Sequence, residues 1–222
     1  MKLSDYLFHE EPGITLYCGD ARVILPMLCM NTTYCLEMCS GACLAVMVTD
    51  PPYGMKYESG WSGNSVAGDN DTEARDTVLE QWGERPAIVF GRWSVPMPKG
   101  VRQVLIWDKG EWPGMGDLSF PWGPSHEEIY VIGDGFTGVR MGTVIRANRI
   151  TSNAMHPTEK PLAALRPLIT RCPNGVIVDP FCGSGSTLEA AKQQGRAAIG
   201  IEIEPKYCEI AVKRLRQEVL PL

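Results

Sequence analysis

The sequence predicts an α/β fold, a mostly parallel sheet with helices on both faces, and three stretches carry that prediction. Leu44-Ala45-Val46-Met47-Val48 runs into Thr49-Asp50-Pro51-Pro52-Tyr53-Gly54. Val176-Ile177-Val178 runs into Asp179-Pro180-Phe181-Cys182-Gly183-Ser184-Gly185-Ser186-Thr187. Ala197-Ala198-Ile199-Gly200-Ile201 runs into Glu202-Ile203-Glu204-Pro205. Each is a short apolar run ending in acids, prolines or glycines, the pattern of a buried strand with its chemistry at the carboxyl tip.

Seven runs read as strands: residues 14–18, 44–48, 87–90, 104–107, 128–132, 176–178 and 198–201. Residues 188–194 are helix formers, with Gly195 placed to end the helix. From Pro205, a plausible first helical position, to Gln217, the residues Tyr207, Ile210, Ala211 and Leu215 recur at helical spacing, a core stripe. No repeat or low-complexity tract divides the chain, so residues 1–222 read as one domain.

The tip at Asp50 suits a planar amine. Two prolines remove amide donors and leave carbonyl oxygens without local partners. An amine can donate one hydrogen to the Asp50 carboxylate and one to the Pro51 or Pro52 carbonyl, while Tyr53 offers a ring on which a nucleobase can stack. The second tip suits an anion: Gly183 and Gly185 allow close backbone approach, and a helix N-terminus follows. A Walker-type loop is excluded, because no lysine follows the last glycine. The acid Glu202 lies roughly 20 residues beyond the glycine loop, the separation at which dinucleotide folds place a ribose-binding carboxylate.

Together Asp50-Pro51-Pro52-Tyr53, the run from Asp179 to Ser186 and His156-Pro157-Thr158-Glu159-Lys160-Pro161 resemble the S-adenosylmethionine-dependent DNA amino-methyltransferases. The tetrad precedes the cofactor loop, an order similar to the permuted beta group of adenine-N6 and cytosine-N4 enzymes. The resemblance covers nearly the whole chain and implies a Rossmann-like methyltransferase fold with a seven-stranded sheet. It implies that Asp179 lines the S-adenosylmethionine pocket, that the loop with Phe181, Gly183, Ser184 and Gly185 holds the methionine moiety, that Glu202 takes the ribose hydroxyls and that Asp20 meets the adenine. His156, Thr158 and Lys160 are implied to pack against the methionine end of the cofactor.

The implied reaction is direct methyl transfer to the exocyclic nitrogen of a flipped-out base. Asp50, Pro51, Pro52 and Tyr53 are the catalytic residues, and S-adenosylhomocysteine is the product. Asp at the first tetrad position tilts the family resemblance toward adenine N6, with cytosine N4 the alternative. A non-catalytic cofactor- or DNA-binding module, or methylation of RNA or of a protein amide, would use the same residue types. A cytosine-C5 mechanism needs a nucleophilic Cys after a proline, and neither Cys172 nor Cys182 stands there.

DNA is the expected partner, yet the formal net charge is −5. The basic residues gather between 138 and 171, where Arg140, Arg146, Arg149, Lys160, Arg166 and Arg171 face one acid, Glu159. Arg140, Arg146 and Arg149 are the candidate phosphate contacts, against the alternative of an ordinary solvated basic surface. Residues 133–155 leave little room for a target-reading subdomain, so a short recognition sequence, weak specificity or help from a second subunit, as in a homodimer, is expected. Residues 54–76, with Trp61, read as a mobile loop that closes over the extruded base. Residues 110–124, with Trp112, Pro113, Trp122 and Pro124, line the base pocket or pack under the sheet. Cys29, Cys35, Cys39 and Cys43 lack the close pairs of a zinc site and read as ordinary thiols on a helix, with no metal expected. No apolar run reaches membrane-spanning length and no signal-peptide core follows Met1, so the expected compartment is the cytoplasm.

Overall fold

The computed structural model describes residues 1–30, 45–54, 71–110, 119–150 and 159–217. In order these form a 3-10 turn (Leu3–Tyr6), β1 (Leu7–Glu11), β2 (Ile14–Cys18), α1 (Ala21–Met30), β3 (Ala45–Thr49), α2 (Glu73–Trp82), β4 (Ala87–Gly91), β5 (Val101–Asp108), β6 (His126–Ile132), β7 (Val144–Arg146), α3 (Leu162–Ile169), β8 (Val176–Asp179), α4 (Ser186–Lys192), β9 (Ala198–Glu202) and α5 (Pro205–Leu215).

The nine strands form one sheet in the order β1-β2-β9-β8-β3-β4-β6-β5-β7. From β2 to β4 every pairing is parallel. At the two ends the sheet departs from the expected seven-stranded form. β1 runs antiparallel to β2, and β6 is inserted antiparallel between β4 and β5. β1 (Leu-Phe-His-Glu-Glu) and three-residue β7 contain no apolar run, because each is an edge strand and needs little burial.

Side-chain alternation builds two cores. Val46, Val48, Ile88, Phe90 and Trp107 pack with α3, α4 and α5 on one face. Met47, Ala87, Val89, Val178 and Ile201 pack with α1 and α2 on the other. Helices on both faces are therefore as expected. In α5, Tyr207, Ala211 and Leu215 of the expected stripe are buried, and Pro205 holds the first position.

The connection after β8 leads outward to β9, whereas that after β3 leads the other way to β4. Between these strands the sheet has its switch point, where a crevice opens at the carboxyl ends. Asp179 and Asp50 stand on its two sides. Because β6 runs backwards, its first residues, His126 and Glu127, also lie at this end of the sheet. Most of the 54–76 loop and the Trp112–Pro113 pair lie outside the described residues, as do Cys35, Cys39, Cys43 and the side chain of Cys29. At the start of that loop a Cβ on Gly54, whose φ is +74°, would stand 2.7 Å from the Asp71 Cα, so Gly54 and Asp71 touch through their backbones. Trp122 is 81% exposed and does not pack under the sheet.

Candidate active site

Parallel pairing of Met47 with Val178 brings the next residues of β3 and β8 side by side. Thr49 Oγ1 donates to Asp179 Oδ1 at 2.7 Å, and the Phe181 N–H donates to the same oxygen at 3.1 Å. Asp179 is buried, and burial pushes its carboxyl up to about 6 although these donors pull it down. It anchors the glycine loop to the tetrad strand.

The next strand pair sets Glu202. Cys18 stands opposite Glu202 in the β2–β9 ladder, and the Gly19 N–H donates to the Glu202 carbonyl at 2.8 Å. The Glu202 carboxylate accepts from the Gly183 N–H at 3.0 Å on Oε2 and from the Glu204 N–H at 2.8 Å on Oε1. Burial raises this acid to about 7. Asp20, one residue beyond Gly19, accepts from Arg22 through its side chain at 2.7 Å and through its backbone at 2.8 Å, and Arg22 holds its carboxyl below the usual range. Asp20, Glu202, Gly183, Phe181 and Asp179 thus follow one another along the crevice.

Two loop residues also have packing roles that sequence alone does not suggest. Gly185 has φ +81°, and a Cβ there would meet Ala211 Cβ at 2.9 Å, so close packing of α5 demands this glycine. Ser184 turns its hydroxyl toward Arg214, at 3.5 Å. Buried Arg214 also reaches Ser186 Oγ at 3.3 Å, Glu189 at 3.2 Å and Glu159 at 2.5 Å.

On the other side of the crevice Asp50 is held at both oxygens. The Tyr53 hydroxyl donates to Oδ1 and the Lys160 ammonium to Oδ2. Lys160 is 6% exposed and also pairs with Glu127 at 3.3 Å, while Lys109 pairs with Glu127 at 2.6 Å. Burial pushes the Asp50 carboxyl up, against the pull of Lys160, and Glu127 adds to the rise. Burial works against the charge of Lys160, but Asp50 and Glu127 together hold it ammonium. Burial also raises the Tyr53 phenol well above its ordinary range. Tyr53 is half-buried, with its ring against the core.

Lys160, expected from the family resemblance at the methionine end of the cofactor, therefore sits on the tetrad acid. Glu127, Lys109, Thr49, Glu159 and Arg214 carry site contacts that the sequence reading missed. His156 and Thr158 lie outside the described residues. The basic stretch is not a single surface: Lys160 is internal, Arg166 contacts Gln193, and Arg171 contacts the carbonyls of Val139 and Pro167. Arg140 is exposed, Arg146 is exposed beside Asp108 at 3.4 Å, and Arg149 is half-buried. A separate groove of about 460 Å³ opens between Trp93, Met97, Val104 and Tyr130, and none of the expected site residues lines it.

A family model for DNA methylases of the N6/N4 class matches residues 98–213. The protein YubD of Escherichia coli (strain K12) is 29% identical over 193 residues, covering 79% of this chain and 83% of its own. The type II methyltransferase M.ScaI of Streptomyces caespitosus is 46% identical over 69 residues, which are 30% of this chain but only 23% of that enzyme. Among solved structures, the M1.HpyAVI–SAM complex shares the fold at TM-score 0.61 and 22% identity, covering 91% of this chain and all of that one. The cytosine-N4-specific PvuII DNA methyltransferase does so at TM-score 0.65 and 13% identity, covering 94% and 88%.

Proposed function

The chain belongs to the N6/N4 DNA methylase family, and from that premise we propose that it transfers a methyl group from S-adenosylmethionine to the exocyclic N6 of a flipped-out adenine in DNA. The observation that carries this reading is the Asp50 carboxylate, fixed by Tyr53 and Lys160 at the edge of the crevice whose other side is built from Asp179, the glycine loop and Glu202. An acid that must accept from an amine gains by being oriented in advance. Each oxygen of Asp50 retains a second lone pair for the incoming N–H. Asp at the first tetrad position supports adenine over cytosine.

The residues present fit the cofactor. Glu202 is a buried acid whose two oxygens each accept one backbone N–H, leaving lone pairs for a vicinal diol such as a ribose. Asp20 lies next to it at the tip of β2. When bound, S-adenosylmethionine supplies a sulfonium methyl as the electrophile. Asp50 draws on the amine hydrogens, so that the nitrogen lone pair leaves conjugation with the ring and turns toward that methyl. Tyr53 keeps its phenol protonated and so serves as a hydrogen-bond donor and a wall, not as a base. Arg140, Arg146 and Arg149 supply phosphate contacts, and within a single domain residues 133–155 are a reduced target-recognition segment. Part of that segment, Val144–Arg146, is built into the sheet as β7.

Cytosine N4 is the second reading, because the PvuII enzyme of the same fold is cytosine-N4-specific. The test is incubation of purified protein with methyl-labelled S-adenosylmethionine and unmethylated duplex DNA, followed by nucleoside digestion and mass spectrometry. N6-methyladenine is expected, with none formed by Asp50→Ala. N4-methylcytosine would move the target to the second reading. Label found in RNA or protein but not DNA would overturn the substrate class.

A further inference from the structure

Asp50, Lys160, Glu127 and Lys109 form a row of alternating charge at the strand tips. It stands on an aromatic floor: the Lys160 ammonium is 5.1 Å from the Phe90 ring centre and 5.8 Å from that of Trp107, and Lys109 is 5.2 Å from Trp107. The two rings attract an ammonium, but by less than burying it costs. A buried ammonium is expensive to desolvate unless its partners hold it. Two acids from different strands hold it. One is Asp50 at the end of β3, and the other is Glu127, which reaches this end only because β6 runs antiparallel.

We propose that Lys160 is the positioning residue for Asp50, with Glu127 as the second anchor that fixes the lysine. Lys160 holds Oδ2, Tyr53 holds Oδ1, and together they aim the carboxylate before any base arrives. Glu127, held in turn by Lys109, keeps the ammonium from following Asp50 or leaving it. This role rests on the reading of Asp50 as the amine acceptor.

Among the described residues, the charged and titratable groups facing Asp50 are Lys160, Glu127 and Tyr53, with Asp179 across the crevice and Lys109 behind Glu127. Removing the Lys160 charge leaves Asp50 and Glu127 as neighbouring buried acids that hold a proton between them. A protonated Asp50 no longer accepts from the amine. Lys160→Met should therefore move the acid limb of the kcat/KM profile upward by about 1–3 pH units. Lys160→Arg should return it most of the way. Glu127→Gln alone should move the limb down, and added to Lys160→Met it should recover part of the displacement.

The experiment is the pH profile of methyl transfer for these four variants, with cofactor affinity by calorimetry and folding by circular dichroism. Cofactor affinity should change less than threefold. A lowered kcat with an unmoved acid limb in both Lys160→Met and Glu127→Gln would overturn the proposal, as would loss of cofactor binding without such movement. If Lys160→Met does not fold, Glu127→Gln decides the matter by the same criterion, because it leaves the lysine in place and its acid limb should still move down. Asp50→Ala separates the two levels of inference. An inactive Asp50→Ala beside unmoved Lys160 and Glu127 profiles refutes only the positioning role, whereas an active Asp50→Ala refutes the amine-acceptor reading itself.

Discussion

Replacing Thr49 by Val removes one hydroxyl at nearly constant volume, and the hydroxyl in question donates to Asp179 at 2.7 Å inside the protein. The cost depends on whether Asp179 carries charge. A hydrogen bond to an ionised partner is worth about 1.5–3 kcal/mol and one to a neutral partner about 1 kcal/mol. Burial raises the Asp179 carboxyl from 3.8 to about 6. For an acid raised in this way, the stabilising contribution is complete below the unfolded value and disappears as pH rises through the folded one. Thr49→Val pushes the folded value higher still, so the two stability curves separate as pH rises. The variant should lose about 1 kcal/mol near pH 5 and about 1.5–3 kcal/mol near pH 8, since about 1.4 kcal/mol accompanies each tenfold change in proton affinity. Urea unfolding of both proteins at the two pH values measures this, with Thr49→Ser as the control that keeps the hydroxyl. An equal loss at both values would show that Asp179 does not change charge in this range, or that Thr49 does not donate to it.

Three further outcomes follow from the site and the fold. Glu202→Ala should weaken S-adenosylmethionine binding by about 1–3 kcal/mol, and wild-type affinity should fall as pH drops below about 7, because the ionised acid accepts the hydroxyls; calorimetry with flat pH dependence and unchanged affinity would remove Glu202 from the pocket. Reversing Arg140, Arg146 and Arg149 to Glu should weaken DNA binding for all sequences and lower the log–log salt slope by about 0.9 per lost contact, with base preference unchanged; a specificity change at constant slope would instead put these arginines in the groove. Gly185→Ala should destabilise the fold by about 1–3 kcal/mol, since it forces a Cβ into left-handed backbone against Ala211; an unchanged urea midpoint would refute the packing argument.

What could be read from the chain, and what could not, follows from how local each signal is. β3, β8 and β9 announce themselves because both faces are covered, giving unbroken apolar runs, and each differs from expectation by a residue at one end or both. The tetrad and the glycine loop are contiguous motifs, and Asp50, Asp179, Gly183 and Glu202 stand along one crevice. Glu127 was hidden by strand direction. A polar residue just before an apolar run belongs to the far end of a parallel strand, and only the reversal of β6, a choice made by long-range pairing, carries it to the site. Lys160 and Glu159 are sequence neighbours whose side chains go to different partners, Asp50 and Arg214. Spacing along the chain gives no hint of that divergence. The basic stretch shows the reverse error: local charge density suggested a surface, and burial removed Lys160 from it.

The pairing of Ile14 with Ala198 has a consequence for how the protein comes into being. At the usual pace of about 5–20 residues per second, β9 leaves the ribosome on the order of ten to forty seconds after β2. During that wait β2, whose Ile14, Leu16 and Tyr17 end fully buried, has only β1 beside it and one open edge. The partner already in place is a poor template for further pairing: His9, Glu10 and Glu11 make β1 polar and charged. A nascent chain is thereby discouraged from aggregating along one side while the other waits for its parallel neighbour. The end of the crevice built where β2 and β9 meet, proposed above to take the cofactor, is then among the last parts of the molecule to exist, so a ligand bound there would select only chains whose sheet has closed.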